Sequence, residues 1–299
     1  MSAQRLRIVF FGTGGLLSAA CLRAVAARHE VLAVVRALTG GRARFLAGRF
    51  ARTLHLRQPD PLADAARTAG LRQWPITSVR EAHFAQRMTR LCPDLLCVAH
   101  FPWRLPEGIL GTAALGGVNL HTSLLPRHRG PLPLFWVYHA DDRETGVTVH
   151  QMTNRFDDGD IIAQESFPLT RGYPADALNA DNARVGAELL AVSVSALARG
   201  QANARPQDDN LATRAPLVPP GTAMVDFDAW DVERVWHFLA GVSPRFIEPI
   251  TDVEGRSITY TGVLGYECGA AGGPLGLARR LDGRVVLQCR DGIVILRAP

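Results

Sequence analysis

Ile8-Val9-Phe10-Phe11-Gly12-Thr13-Gly14-Gly15 is an unbroken apolar run closed by a glycine turn, and a helical pattern follows from Leu16 to Arg28. Val31-Leu32-Ala33-Val34-Val35 then reads as a second buried strand. An apolar run without polar alternation suits a strand covered on both faces, and the strand–helix–strand order lays two such strands side by side in parallel. The stretch therefore predicts an α/β fold with a doubly wound, mostly parallel sheet. Gly12-x-Gly14 does not complete a dinucleotide fingerprint. Leu17 stands where the third glycine belongs, and Arg36 rather than an acid ends the second strand, so no NAD is expected. The turn can instead hold a phosphate on helix N-terminal amides, if the acceptor carries one.

Outward from this opening, helical patterns over residues 61–69, 79–90, 131–140 and 175–199 alternate with strand patterns over 73–76, 94–99, 145–152 and 161–167. Residues 1–205 are expected to form the first domain. A polar, proline-bearing linker over 206–222 carries Pro206, Pro216, Pro219 and Pro220. Residues 223–299 are expected to form a small, mainly β, barrel-like domain. It should open with a strand at 223–227 and a helix at 232–239, followed by short strands at 257–264, 275–281, 285–288 and 292–296. Between residues 39 and 61, Arg42, Arg44, Arg49, Arg52 and Arg57 interleave with Phe45, Leu46, Phe50, Leu54 and Leu56. That spacing suits a short amphipathic helix whose basic face is either solvated or a surface for an anionic acceptor.

The chain has 299 residues, 47% hydrophobic and 20% charged, as in a soluble globular protein long enough for two domains. It contains no run of eighteen apolar residues, and its start leads directly into the first strand, so neither a membrane span nor a signal peptide is expected and a cytoplasmic location is. The five cysteines lack Cys-x-x-Cys spacing and read as buried reduced thiols, and the nine histidines lack metal-binding spacing, so no metal is expected. Net charge is +5, and all 33 basic residues are arginine. With no lysine, every anion contact falls to arginine, histidine or backbone N–H groups.

The chemistry concentrates between Val118 and Gln164. In Val118-Asn119-Leu120-His121-Thr122-Ser123-Leu124-Leu125-Pro126, Asn119 and His121 are one residue apart and share a face of an extended strand. Arg129-Gly130, then the run Glu144 to His150, then Phe156-Asp157-Asp158-Gly159-Asp160-Ile161 follow. A carboxamide donor beside an imidazole, with a carboxylate arriving from a later loop, suits stabilising an oxyanion and moving a proton. An isolated Asn-x-His is more often a solvated strand end. The ordered elements downstream of it set that reading aside.

This segment resembles the catalytic region of formyltransferases that use 10-formyltetrahydrofolate, a family with glycinamide ribonucleotide, methionyl-tRNA and sugar N-formyltransferases among its members. The shared pattern falls on Asn119, His121, Ser123, Leu124, Leu125, Pro126, Gly146, Thr148 and Asp157. The resemblance implies a Rossmann-like catalytic domain and transfer of a formyl group from 10-formyltetrahydrofolate to a primary amine. Asn119 and His121 would act as oxyanion donors, worth about 3–4 kcal/mol each. Asp157 would pair with His121 and raise its pKa, with Asp158 and Asp160 as the neighbouring alternatives. It also implies a folate pocket built from Phe101, Pro102, Trp103, Arg104 and Leu105, with Ser123, Leu125, Pro126, Thr148 and Phe156 around it. Ser123 and Thr148 would hydrogen-bond the catalytic loop. A small soluble amine, such as a nucleotide-linked amino sugar or an amino acid derivative, is the expected acceptor. The arginine segment departs from the Pro-, Gly- and Lys-rich insertion of methionyl-tRNA formyltransferases. Methionyl-tRNA is the alternative acceptor, favoured by the two-domain layout and the pI near 9.3. Formyltetrahydrofolate hydrolysis is a further alternative; hydrolases of this family usually carry an N-terminal regulatory domain, and this chain begins at its first strand. A homodimer is compatible with the sequence.

Overall fold

A computed structural model describes residues 5–38, 60–80, 82–270 and 272–299; the expected arginine-bearing helix at 42–57 lies outside them. The chain divides into two compact units, one comprising residues 1–130, 146–166 and 180–214, the other 131–145, 167–179 and 215–299.

The first unit is organised by a seven-stranded sheet. Its strands are β1 (Arg7–Gly12), β2 (Glu30–Ala37), β3 (Gln73–Ile76), β4 (Leu95–Ala99), β5 (Gly117–His121), β6 (Glu144–Gln151) and β7 (Ile161–Pro168). Their order is β3-β2-β1-β4-β5-β6-β7, parallel from β3 to β5, with β6 antiparallel to β5. The doubly wound, mostly parallel sheet expected from the opening stretch is present. Among the described residues of the two units, the helices are α1 (Leu16–Ala26), α2 (Pro61–Thr68), α3 (Ala82–Leu91), α4 (Glu107–Leu110), α5 (Pro133–His139), α6 (Ala175–Ala198) and α7 (Val232–Val242).

The apolar run of β1 is explained by two cores. Ile8 and Phe10 pack with α1 residues and with Ala183 to Val194 of α6, while Val9 and Phe11 join Phe84, Met88 and Ile109 in a separate cluster. All four strand residues are fully buried, as period-two alternation between two covered faces requires. Truncating Phe10 or Phe11 to alanine would cost about 3–5 kcal/mol. β1 ends at Gly12, where a Cβ would lie 2.8 Å from Ser18 Cβ and so would force the glycine turn apart. Ser18 Oγ accepts from Thr13 N–H and donates to the Ala99 carbonyl at 2.7 Å, tying the glycine turn to the end of β4.

The second unit holds an antiparallel sheet of β10 (Gly262–Cys268), β11 (Ala278–Leu281), β12 (Arg284–Cys289) and β13 (Gly292–Arg297), in the order β10-β13-β12-β11. A short ladder of β8 (Ile250–Thr251) and β9 (Ser257–Ile258) joins it through a Thr251–Leu277 bridge. Residues 223–227 do not form the expected strand. The buried Glu248 carboxylate accepts the N–H groups of Met224 and Val225, and so takes amides that a ladder would need. Of the five cysteines, Cys21, Cys97 and Cys289 are buried as expected, whereas Cys92 and Cys268 are exposed; all are free thiols. No described helix is long and apolar enough to cross a membrane.

One buried group gives the second unit a pH response. His237 Nδ1 accepts the Gly172 N–H, and burial, followed by the nearby Arg171 charge, pushes its pKa down to about 4. The unfolded chain, with an ordinary histidine near 6.5, therefore binds the proton first as pH falls. Stability is expected to decline from about pH 6.5 towards pH 4. His237→Gln, which can still accept from Gly172, should flatten the thermal-midpoint profile across that window.

Candidate active site

β5 carries the two groups singled out from sequence, between β4 and β6. Val118 and Leu120 enter the core, which turns Asn119 and His121 to the opposite face. Across the antiparallel ladder Asn119 faces His150, and His121 faces Thr148. The loop after β6 brings in Asp157, whose φ of 54° is left-handed, a region aspartate adopts more readily than most residues.

These side chains converge. His121 Nε2 lies 2.9 Å from the His128 carbonyl, which places its N–H there and turns Nδ1 towards Asp157 Oδ2 at 3.6 Å. Asp157 Oδ2 accepts the Gly130 N–H at 2.9 Å, and Oδ1 accepts from Asn119 Nδ2 at 3.4 Å. A second imidazole completes the group. His150 Nδ1 donates to the Gln151 carbonyl at 2.8 Å, leaving Nε2 to accept from Asn119 Nδ2 at 3.1 Å, 3.5 Å from Asp157 Oδ1. Sequence reasoning assigned His150 no role. Its signal was there in the alternation of β6, which puts residue 150 on the same face as Thr148.

Burial opposes the Asp157 charge, but the positive charge that the His121 and His150 rings carry when protonated, together with the Gly130 N–H, outweighs it and holds the carboxyl at about 2. His121 departs from expectation. Burial lowers its pKa more than Asp157 raises it, so the resting ring is neutral rather than imidazolium. His121 thus keeps its N–H on Nε2 and offers Nδ1 as the atom where a proton can arrive, with an ionised carboxylate beside it to stabilise the cation formed.

Of the neighbouring acids, Asp158 has its carboxylate otherwise engaged. Asp158 accepts from Thr153 Oγ1 at 2.5 Å and pairs with Arg155 at 3.0 Å, closing the loop on itself. Asp160 contributes its backbone carbonyl to the Gln151 N–H. Gly159 fills a position where a Cβ would lie 2.0 Å from the Gln151 carbonyl, so any side chain there would displace the Asp157 loop. Ser123 donates to the Arg127 carbonyl, Thr148 donates to the Ser123 carbonyl and accepts from the Leu125 N–H, and Gln164 bonds both Thr148 and Leu125. These contacts latch the 123–127 loop onto β6.

The residues expected around a folate are spread over several settings. Phe101 and Trp103, half-buried, meet edge to face at 5.4 Å on the loop after β4. That strand's Val98 pairs with Asn119. Arg104 donates to the Asn154 carbonyl at 2.7 Å, joining this loop to the one carrying Asp157. Pro102 and Phe156 are exposed and Pro126 is half-buried, whereas Leu105 and Leu125 are buried, so their side chains belong to the packing. No group of three or more metal-ligating side chains occurs among the described residues.

Residues 6–194 match the family model described as formyl transferase. The chain belongs to the formyl transferase family. Methionyl-tRNA formyltransferase of Nitrobacter hamburgensis is 31% identical to it over 293 residues, which are 97% of this chain and 89% of that protein. Among solved structures, the N-formyltransferase from Helicobacter canadensis, in complex with folinic acid and dTDP-3-aminofucose, matches this formyltransferase with a TM-score of 0.68. The identity there is 14%, with 98% of this chain and 99% of that one covered. HypX from Aquifex aeolicus, in complex with tetrahydrofolic acid, matches with a TM-score of 0.64 at 17% identity over 98% of this chain. This formyltransferase spans only 43% of that HypX chain.

Proposed function

We propose that this formyltransferase moves the formyl group of 10-formyltetrahydrofolate onto the primary amine of a small molecule, with Asn119, His121 and Asp157 as its catalytic residues. The convergence of these three side chains, within a family match covering most of the first unit, carries the reading. The donor fits the residues present. Phe101 and Trp103 give a half-buried aromatic step suited to a flat heteroaromatic ring, one strand from a carboxamide donor and a proton-accepting imidazole. Bound there, the folate would supply an activated formyl group. Asn119 offers its N–H groups to the oxygen on which negative charge develops, the longer bond to Asp157 Oδ1 being the one released. His121 takes the amine proton at Nδ1 and returns it to the departing nitrogen, while Asp157 stabilises the transient imidazolium.

The small-amine reading rests on the lysine-free composition and on an arginine segment unlike the tRNA-gripping insertion of methionyl-tRNA formyltransferases. The second unit does not argue against it, because an N-formyltransferase of matching extent, in complex with dTDP-3-aminofucose, shares the fold over 98% of this chain. Methionyl-tRNA is the second reading, favoured by the 31% identity to a methionyl-tRNA formyltransferase over nearly the full chain.

The test is formyl transfer from 10-formyltetrahydrofolate, followed by mass spectrometry against a panel of amines and charged methionyl-tRNA, with release of free formate reporting water as acceptor. Salt separates the acceptors. Four phosphate contacts would weaken tRNA binding by about two orders of magnitude between 50 and 200 mM salt, whereas a small amine should be nearly indifferent. Changing Arg42, Arg44, Arg49 and Arg52 together to Gln should leave small-amine turnover within about threefold. Salt-sensitive formylation of methionyl-tRNA, abolished by the four changes, would transfer the proposal to tRNA.

A further inference from the structure

We propose that Gln207 is a positioning residue for Asp157, and that the 205–214 segment, expected from sequence to be mostly linker, sets the spacing between His121 and Asp157. The inference rests on the catalytic roles proposed above. Gln207 Nε2 donates to the carbonyls of Asp157 at 3.0 Å and Gly159 at 2.7 Å. Its Oε1 accepts from Arg129 Nε at 2.9 Å. Both faces of the amide are therefore engaged, and the loop that holds Asp157 in a left-handed conformation is gripped on either side of residue 158. Arg129, buried in the first unit, lies between two residues that contact the catalytic pair. The His128 carbonyl fixes His121 Nε2, and the Gly130 N–H binds Asp157 Oδ2.

The backbone of the same segment holds both loops. Arg205 exchanges N–H to carbonyl bonds with Ile161 at 2.8 and 2.9 Å. Thr213 accepts the His128 N–H through its hydroxyl and the Arg129 N–H through its carbonyl, and its own N–H reaches the Pro126 carbonyl. Residues 205–207 thus secure the Asp157 loop, residues 213–214 secure the loop before Gly130, and the Arg129–Gln207 bond ties the two fastenings together. The Nδ1 to Oδ2 separation of 3.6 Å is the distance those fastenings span.

Two variants test this. Gln207→Met keeps the volume and removes every hydrogen bond. Gln207→Glu keeps the acceptor for Arg129 but removes both donors to the loop. Each should lower kcat by about tenfold or more with KM for donor and amine nearly unchanged, since misplacing a catalytic group by about 1 Å can cost about a hundredfold. The decisive readout needs no substrate. The groups acting on the His121 ring are Asp157, His150 and His128. When the carboxylate drifts, the NMR titration of the His121 ring in Gln207→Met should move to lower pH, in the same direction as in Asp157→Asn. Wild-type kcat in Gln207→Glu, or an unmoved His121 titration in a folded Gln207→Met, would overturn the proposal. The titration stands whatever the acceptor, and even where no formyl transfer is found, so failure of the positioning role and failure of the proposed reaction are told apart.

Discussion

His121→Ala should lower kcat for formyl transfer by about three orders of magnitude while leaving folate affinity largely intact. The imidazole interacts chiefly with groups whose charge changes in the transition state, and general acid–base groups of this kind contribute about 10²–10⁴-fold. Single-turnover mass spectrometry against donor binding by fluorescence separates the two quantities. A His121→Ala enzyme with near wild-type turnover would remove the catalytic assignment. The ring also anchors the His128 carbonyl, so the unfolding midpoint should be measured alongside; a folded variant with intact folate binding isolates the chemical loss.

Asp157→Asn and Asp158→Asn should part company. Asp157→Asn retains the shape but removes the charge beside His121 Nδ1, and about a hundredfold loss in kcat is expected. Asp157 raises the His121 proton affinity against the larger effect of burial, so its neutralisation lowers that pKa further. With neutral His121 as the working form, activity falls as pH drops through the His121 pKa. The acid limb of the kcat profile should therefore move to lower pH in Asp157→Asn. Asp158 is engaged by Thr153 and Arg155, so Asp158→Asn should stay within about threefold of wild type in kcat. The reverse ranking would place the working carboxylate one residue later.

The legible parts of the sequence are those governed by local pattern. An apolar run followed by a glycine turn dictates a buried strand and crossover helix, and the parallel sheet follows from β1, β2 and β4 as expected. The Asn-x-His spacing is equally local, because period two on a strand fixes a shared face whatever the rest of the chain does. His150 was less visible, since its place opposite Asn119 depends on the register of a ladder between strands more than twenty residues apart. Gln207 was invisible for the same reason carried further. It sits 48 and 50 residues from the carbonyls it binds, in a polar, proline-bearing stretch whose composition reads as connection. The resting charge of His121 was misjudged because a carboxylate partner can be read from a motif, whereas the depth of burial that outweighs it depends on the completed fold. At 223–227 a strand pattern lost to a buried carboxylate twenty-odd residues away.

The make-up of the second unit governs how the protein can be cut. Phe135, Val137, Tyr138, Leu169 and Leu178 belong to one buried cluster with Phe238, Leu239, Val285 and Leu296. Gly241 is kept side-chain-free by the Tyr138 ring, 2.2 Å from where a Cβ would stand. A fragment ending at residue 214 would keep the first group of side chains and lose the second, leaving large apolar surfaces with nothing to cover them. The carboxyl-terminal third is therefore not a removable appendage. Expression of residues 1–214 should yield insoluble material, and chimaeras that exchange acceptor specificity by swapping the tail will need to carry residues 131–145 and 167–179 with it.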